Sequence, residues 1–169
     1  MNMPVTETRN PRRIRTPHID VRLGAPEDIY AIADLLERFF GMTIWAQNTE
    51  FNRAGALAYL AYAVPNGYAP HALAWEKDEL VGLCSYHLYT AYTSKPIAVM
   101  DETFVIPRLR RSDLGRRLVG LAIELARGDG CAIMNFPIAS GLPAQNSLMN
   151  MVGRHFGADP VGMIFRKVL

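Results

Sequence analysis

Arg108-Leu109-Arg110-Arg111-Ser112-Asp113-Leu114-Gly115-Arg116-Arg117 is the stretch on which the reading of this chain turns. An apolar strand-like run, Phe104-Val105-Ile106-Pro107, leads into it, and a periodic helical pattern begins near Leu114. A strand that hands over to a helix through such a turn predicts an anion site. The first N–H groups of a helix lack intrahelical partners, and the helix dipole adds about half a positive charge at that end. Five arginines within these ten residues surround it. A phosphorylated small molecule is the natural guest.

Working outward, Leu114, Leu118, Leu121, Ala122 and Leu125 form the apolar stripe of this helix, which Gly128-Asp129-Gly130 ends. Upstream, Ile97–Ile106 reads as a strand, preceded by a hairpin of His71–Glu76 and Leu80–Thr90 about the Lys77-Asp78 turn. Further upstream, Asn52–Ala63 and a segment opening at Pro26 read as helices. The latter carries the stripe Ile29, Ile32, Ala33, Leu36 and Phe40, and His18–Leu23 reads as a first strand. Downstream, the pattern predicts a buried strand over Cys131–Ile138, a helix over Leu142–Phe156 and a closing strand over Val161–Leu169. The order β-α-α-β-β-β-α-β-α-β joins an antiparallel meander to a βαβ crossover. It predicts an α/β fold with a mixed, mostly antiparallel central sheet flanked by helices.

The chain has 169 residues, half of them apolar and a fifth charged, and a net charge of +2. That predicts a single domain over residues 18–169 behind a flexible basic tail over 1–17, in which Arg9, Arg12, Arg13 and Arg15 crowd together. The small net charge argues against nucleic acid as the partner. No apolar run approaches the roughly 20 residues of a membrane span, and no signal core opens the chain. Cys84 and Cys131 lie in apolar runs and read as buried thiols of a reducing compartment. The expected location is cytoplasmic. His18, His71, His87 and His155 are dispersed and no Cys-x-x-Cys occurs, so no metal site is expected.

From His18 to Leu169 the chain resembles the GNAT superfamily, the acetyl-coenzyme-A-dependent N-acetyltransferases. Arg110-Arg111-Ser112-Asp113-Leu114-Gly115 stands where that family carries Arg/Gln-x-x-Gly-x-Gly/Ala, and Leu118 follows in the family's place. Asn146 precedes Gly157 by the family's eleven residues, though Ala158 replaces the usual aromatic, and Ile164–Leu169 resembles the last strand. The stretch from Tyr89 to Ser94 and onward looks most like small bacterial or phage-associated members. The resemblance implies a GNAT-like acyl-CoA N-acyltransferase fold with acetyl-CoA as acyl donor and an amine of a small molecule or peptide as acceptor. It places the pantetheine arm on the backbone of Phe104, Val105 and Ile106. The pyrophosphate falls to the turn of Arg110, Arg111, Ser112, Asp113, Leu114, Gly115 and Arg116, with Asn146 as a further cofactor contact. A homodimer is compatible with such folds, whose sheet edges often pair.

Two departures stand out. Asp113 replaces the first loop glycine and brings a like charge to the phosphates. At about 6 Å and an effective dielectric of 20–40 that costs about 1–3 kcal/mol, which one or two arginine hydrogen bonds offset. Gly153 stands where many members have a tyrosine that protonates the departing thiolate. These departures keep an alternative open: a weak or inactive CoA-binding or regulatory module with the same fold.

An alkylamine is mostly protonated at neutral pH and must lose a proton before it can attack. Asp101 and Glu102 lie just before the arginine turn. Strand alternation puts Glu102 on the face of Met100 and Phe104 and Asp101 on the other, and a bulge would swap them. Glu102 is the expected base, and a solvated strand-edge charge is the plainer account of either carboxylate. Phe39, Phe40, Trp45 and Phe51 are candidate walls of the acceptor pocket, and Ser85, His87 and Tyr89 share one strand face toward it. Direct attack of the amine on the thioester is expected, with no cysteine intermediate.

Overall fold

The computed structural model describes residues 18–137 and 145–160. The expected tail over 1–17, the closing strand over 161–169, the start of the last helix before residue 145 and the Asn146 side chain lie outside that description.

The elements are β1 (Ile19–Leu23), α1 (Ile29–Phe40), α2 (Arg53–Ala63), β2 (His71–Glu76), β3 (Glu79–Tyr89), β4 (Ile97–Val105), α3 (Leu114–Gly128), β5 (Ile133–Asn135) and α4 (Gln145–Phe156). The strands lie side by side in chain order, antiparallel from β1 to β4 and parallel between β4 and β5. The mixed, mostly antiparallel sheet with flanking helices is the architecture expected from the element order. No helix among the described residues is long and apolar enough to cross a membrane.

Local chemistry explains the joints. Asn52 caps α2 by accepting from the Gly55 N–H at 2.9 Å. Asp28 closes the turn into α1, where it accepts from the Ala25 N–H at 2.8 Å and from both terminal nitrogens of Arg22 at 2.7 and 2.8 Å. That fork ties the β1 edge to α1. The β2–β3 hairpin turns through Lys77 at φ 56°. Gly130, at φ 78°, carries the chain out of α3 in the left-handed region that favours glycine.

Helix α3 lies across one face of the sheet, with Leu114, Leu118, Val119, Ala122 and Ala126 buried. Leu118 sits so close to Gly82 of β3 that a Cβ there would meet it at 3.0 Å. Tyr86, also on that face, donates to Asp129 at 2.6 Å and pins the end of α3. Helices α1 and α2 pack on the other face. The predicted α1 stripe divides: Ile32 and Ala33 are buried in the core, joined there by Leu35, which lay outside the stripe, whereas Leu36 and Phe40 turn toward a cavity.

One expected element is corrected. The strand predicted over Cys131–Ile138 as buried is β5, three residues long, with Ile133 54 % exposed. Its apolar composition suggested burial, yet among the described residues it borders only β4. Cys131 precedes it, half-buried, and its N–H bonds to Ala126 O at the end of α3. Cys84 is fully buried as expected.

Candidate active site

Two irregularities in strand pairing assemble the site. Between the pairs Ala74–Gly82 and Trp75–Leu80, Val81 is an extra residue of β3, and this shift sets His71 opposite Ser85. Between the pairs Cys84–Thr103 and Tyr86–Met100, Ser85 faces two residues of β4, Asp101 and Glu102. The two-on-one bulge turns both carboxylates to Ser85's side. The expectation that Asp101 and Glu102 occupy opposite faces, with Glu102 beside Met100, is therefore overturned. Met100 instead accepts at Sδ from Thr103 Oγ1 at 2.9 Å.

Each carboxylate has one defined partner. Ser85 Oγ donates to Glu102 Oε2 at 2.5 Å, and His87 Nδ1 donates to Asp101 Oδ1 at 2.7 Å. The His87–Asp101 pair is partly exposed, and Glu102 sits deeper. Burial, then the nearby Asp101 charge, push the Glu102 carboxyl above its ordinary range; the Ser85 hydroxyl opposes the shift. His71 is 3 % exposed, and its Nδ1 lies 2.6 Å from Ala69 O. A carbonyl only accepts, so that nitrogen carries the proton. Burial holds the ring below its ordinary pKa and hence neutral, which leaves Nε2 as an acceptor.

These groups line one cavity of about 570 Å³ between the sheet and the α1–α2 helices. Phe39, Phe40, Trp45 and Phe51, the expected walls, all line it, together with Tyr59. The Phe39 ring lies 5.2 Å from Phe104, and the Phe40 ring 5.7 Å from Phe51. Tyr89, expected on the same face, is instead a partly exposed residue whose ring lies 6.1 Å from that of Tyr92. His71 and Tyr59 did not emerge from the sequence as cavity residues. His71 depends on the Val81 bulge, since an unbroken hairpin register would set it against Cys84. Burial pushes the Cys84 thiol up to about 12, so it is no thiolate nucleophile.

At its other end β4 runs into the arginine turn. Its ladder with β5 covers only Ile97, Ala98 and Val99. Beyond Val99, that edge of β4 has no strand partner among the described residues. The Ile106 N–H is taken by Val81 O at 3.0 Å, on the β3 side. Backbone alternation then turns Phe104 toward β3 as well, and Thr103 and Val105 toward the open edge. The open edge is a place for an extended ligand to add as a strand would.

The five arginines do not act alike. Arg108 is bound to Glu76 and Glu79, and Arg117 donates to Ile19 O at 3.0 Å. Arg110 donates from Nε to Val105 O at 3.0 Å and lies over the Phe104 ring. Among the described residues Arg111 has no such partner, and Arg116 forms a loose ion pair with Asp113 at 3.7 Å. Asp113 occupies the N-cap position of α3 without a side-chain cap bond, and Ser112 Oγ instead accepts from the Leu114 N–H at 3.2 Å. The N–H groups of Gly115 and Arg116 have no acceptor among the described residues. A Cβ on Gly115 would meet nothing within 4 Å. Among the described residues two N–H groups without acceptors, the unpaired Arg111 guanidinium, the loosely paired Arg116 and an unfilled space beside a glycine make this turn fit for a diphosphate.

Among the described residues no cluster of three or more His, Cys, Asp or Glu side chains is placed to hold a metal ion.

The sequence matches the profile of the Acetyltransferase (GNAT) family over residues 29–147, well over half of the chain. The chain belongs to that family. Its fold is similar to that of the aminoglycoside N-acetyltransferase AAC(6')-Iy solved in complex with CoA, at TM-score 0.69 and 16 % identity, covering 92 % of this chain and 97 % of that one. An acetyltransferase of Trypanosoma brucei gives TM-score 0.67 at 15 % identity, with 90 % and 100 % covered. A Clostridium acetobutylicum protein solved with acetyl-CoA gives TM-score 0.67 at 14 % identity, with 89 % and 96 % covered. At these identities the likeness is one of fold. No curated protein matches the chain in sequence.

Proposed function

We propose that this protein is an N-acetyltransferase that moves an acetyl group from acetyl-CoA to a primary amine by direct attack. The observation that carries the reading is Glu102, a recessed carboxylate in the cavity wall at the bulge, next to an open strand edge that leads to an anion-binding helix end.

The diphosphate of CoA would be held by the N–H groups of Gly115 and Arg116 and by the Arg111 and Arg116 guanidiniums. The open edge at Thr103 and Val105 offers hydrogen bonds to the pantetheine arm. The bound donor supplies an activated acyl group as a thioester. Glu102 takes the proton of the incoming ammonium, directly or through one water. Its raised pKa suits that role, because a base titrating nearer neutrality shares the proton more evenly with the amine. Ser85 holds the accepting carboxylate in place. Asp101, paired with His87, keeps the cavity attractive to a cation. Gly153 supplies no acid for the leaving thiolate, so solvent protonates it.

The test is Glu102→Gln. A general base contributes about a hundredfold or more, so kcat/KM at neutral pH should fall by about that factor while calorimetry with CoA stays unchanged. A fall under about threefold removes Glu102 from the mechanism. Unchanged CoA binding by the native protein without thioester loss across an amine panel would favour the binding-module reading, for which Asp113 and Gly153 speak.

A further inference from the structure

We infer that the acceptor is an arylalkyl monoamine, a molecule with one ammonium group on a short chain from an aromatic ring. The inference rests on the acetyltransferase reading and narrows it. The cavity is divided by chemistry. Its acidic end is Asp101 and Glu102, adjacent in β4. Its remaining walls carry the aromatic set Phe39, Phe40, Trp45, Phe51 and Tyr59, contributed by α1, α2 and the loop between them, with Tyr59 near enough to the carboxylates to feel their charge. Among the described residues no lysine or arginine lines it. Among the described residues a cation therefore finds its counter-charge at Asp101 and Glu102.

A polyamine or an aminoglycoside carries several ammonium groups over its length. Two carboxylates neutralise at most two of them, and the rest of such a molecule has little apolar surface to set against five rings. Aromatic faces attract a cation only modestly, and desolvating a charge beyond the reach of a carboxylate stays unfavourable. An aromatic body meets the opposite situation, since ring-on-ring packing and removal of apolar area from water both favour it. The volume of about 570 Å³ is within the range of about 300–1,000 Å³ typical of small-molecule pockets. The acidic end also sits where the proposed base is, so the ammonium that binds is the one that reacts.

Initial rates of CoA release at saturating acetyl-CoA, with tryptamine, 2-phenylethylamine, spermidine and kanamycin as acceptors, test this. The expected result is a kcat/KM for the two arylalkylamines at least about tenfold above that for the polycations. In Phe51→Ala the KM for 2-phenylethylamine should rise about tenfold while the KM for acetyl-CoA holds. Rates with spermidine or kanamycin equal to or above those with tryptamine overturn the inference and leave the acetyltransferase reading standing. Calorimetry of 2-phenylethylamine into the CoA-loaded protein separates the remaining cases. Saturable binding without turnover supports the amine site while defeating the transfer reading. No binding and no turnover overturn both.

Discussion

The acidic cleft and the arginine turn stand at opposite ends of the open part of β4, and they are built in opposite ways. In the cleft the side chains carry the chemistry and each is held by a neighbour, Glu102 by Ser85 and Asp101 by His87. At the turn the backbone is the prepared element. Three of its five arginines are committed to Glu76, Glu79, Val105 O and Ile19 O, which brace the turn against the sheet. A run of like charges therefore does not act as one unit. The charges that hold the turn and the charges free for a ligand are different residues, and partner geometry sorts them.

If that division is right, substitutions in the two regions have different signatures. The largest effect belongs to the cleft. Glu102→Gln should lose about a hundredfold in kcat/KM and lose the acid limb of the pH profile. In the native protein that limb should lie above the ordinary carboxylate range, because burial and Asp101 raise the Glu102 pKa. The sign for stability is opposite. A carboxyl with a raised folded pKa contributes its stability below its unfolded pKa and loses it as pH rises through the folded one. Glu102→Gln should thus melt higher than the native protein at pH 8 and alike at pH 4, read by thermal scans. A variant that melts lower at pH 8 would contradict the recessed carboxylate.

Next come the arginines. Replacing Arg111 or Arg116 by Ala should raise the Kd for CoA by about ten- to a hundredfold, the worth of one charge-assisted hydrogen bond of roughly 1.5–3 kcal/mol. The melting temperature should hardly move. Arg117→Ala should do the reverse, with a lower melting temperature and CoA affinity within a few-fold. If Arg117→Ala weakens CoA binding as strongly as Arg111→Ala, the sorting of braces from ligand groups fails.

The smallest effect is the most discriminating. Gly115 has open space where a Cβ would stand. Gly115→Ala should therefore stabilise the free protein by up to about 1 kcal/mol through helix propensity. The same methyl should weaken CoA binding several-fold by obstructing close approach of the diphosphate. Greater stability with unchanged affinity would place the phosphates elsewhere.

Much of this protein was legible without coordinates. The stripe of α3, the Lys77-Asp78 hairpin and the Gly128-Asp129-Gly130 stop are local patterns, and each element formed within a residue or two of its expected bounds. The spacing from Arg110 to Gly115 marked the turn. The cleft was less legible. Phe39, Phe40, Trp45 and Phe51 could be named as walls, because aromatics clustered about a loop need a common surface. Asp101 was misplaced, because period-two alternation holds only in a regular strand. His71 was missed, because its neighbour is set by a bulge in another strand. β5 was overextended, because an apolar run carries no mark of where its ladder with β4 begins and ends.

Periodicity, punctuation by glycine and proline, and motif spacing thus sufficed for the α/β architecture and for an anion-binding helix end, since these depend on interactions between residues near in sequence. Whether two adjacent carboxylates share a cavity, and which arginines remain free, depended on pairing between β2, β3 and β4 and on contacts such as Arg117 with Ile19 O, far apart along the chain. A one-residue shift in strand pairing reverses which side chains meet, and that shift is settled only when the whole sheet closes over its core.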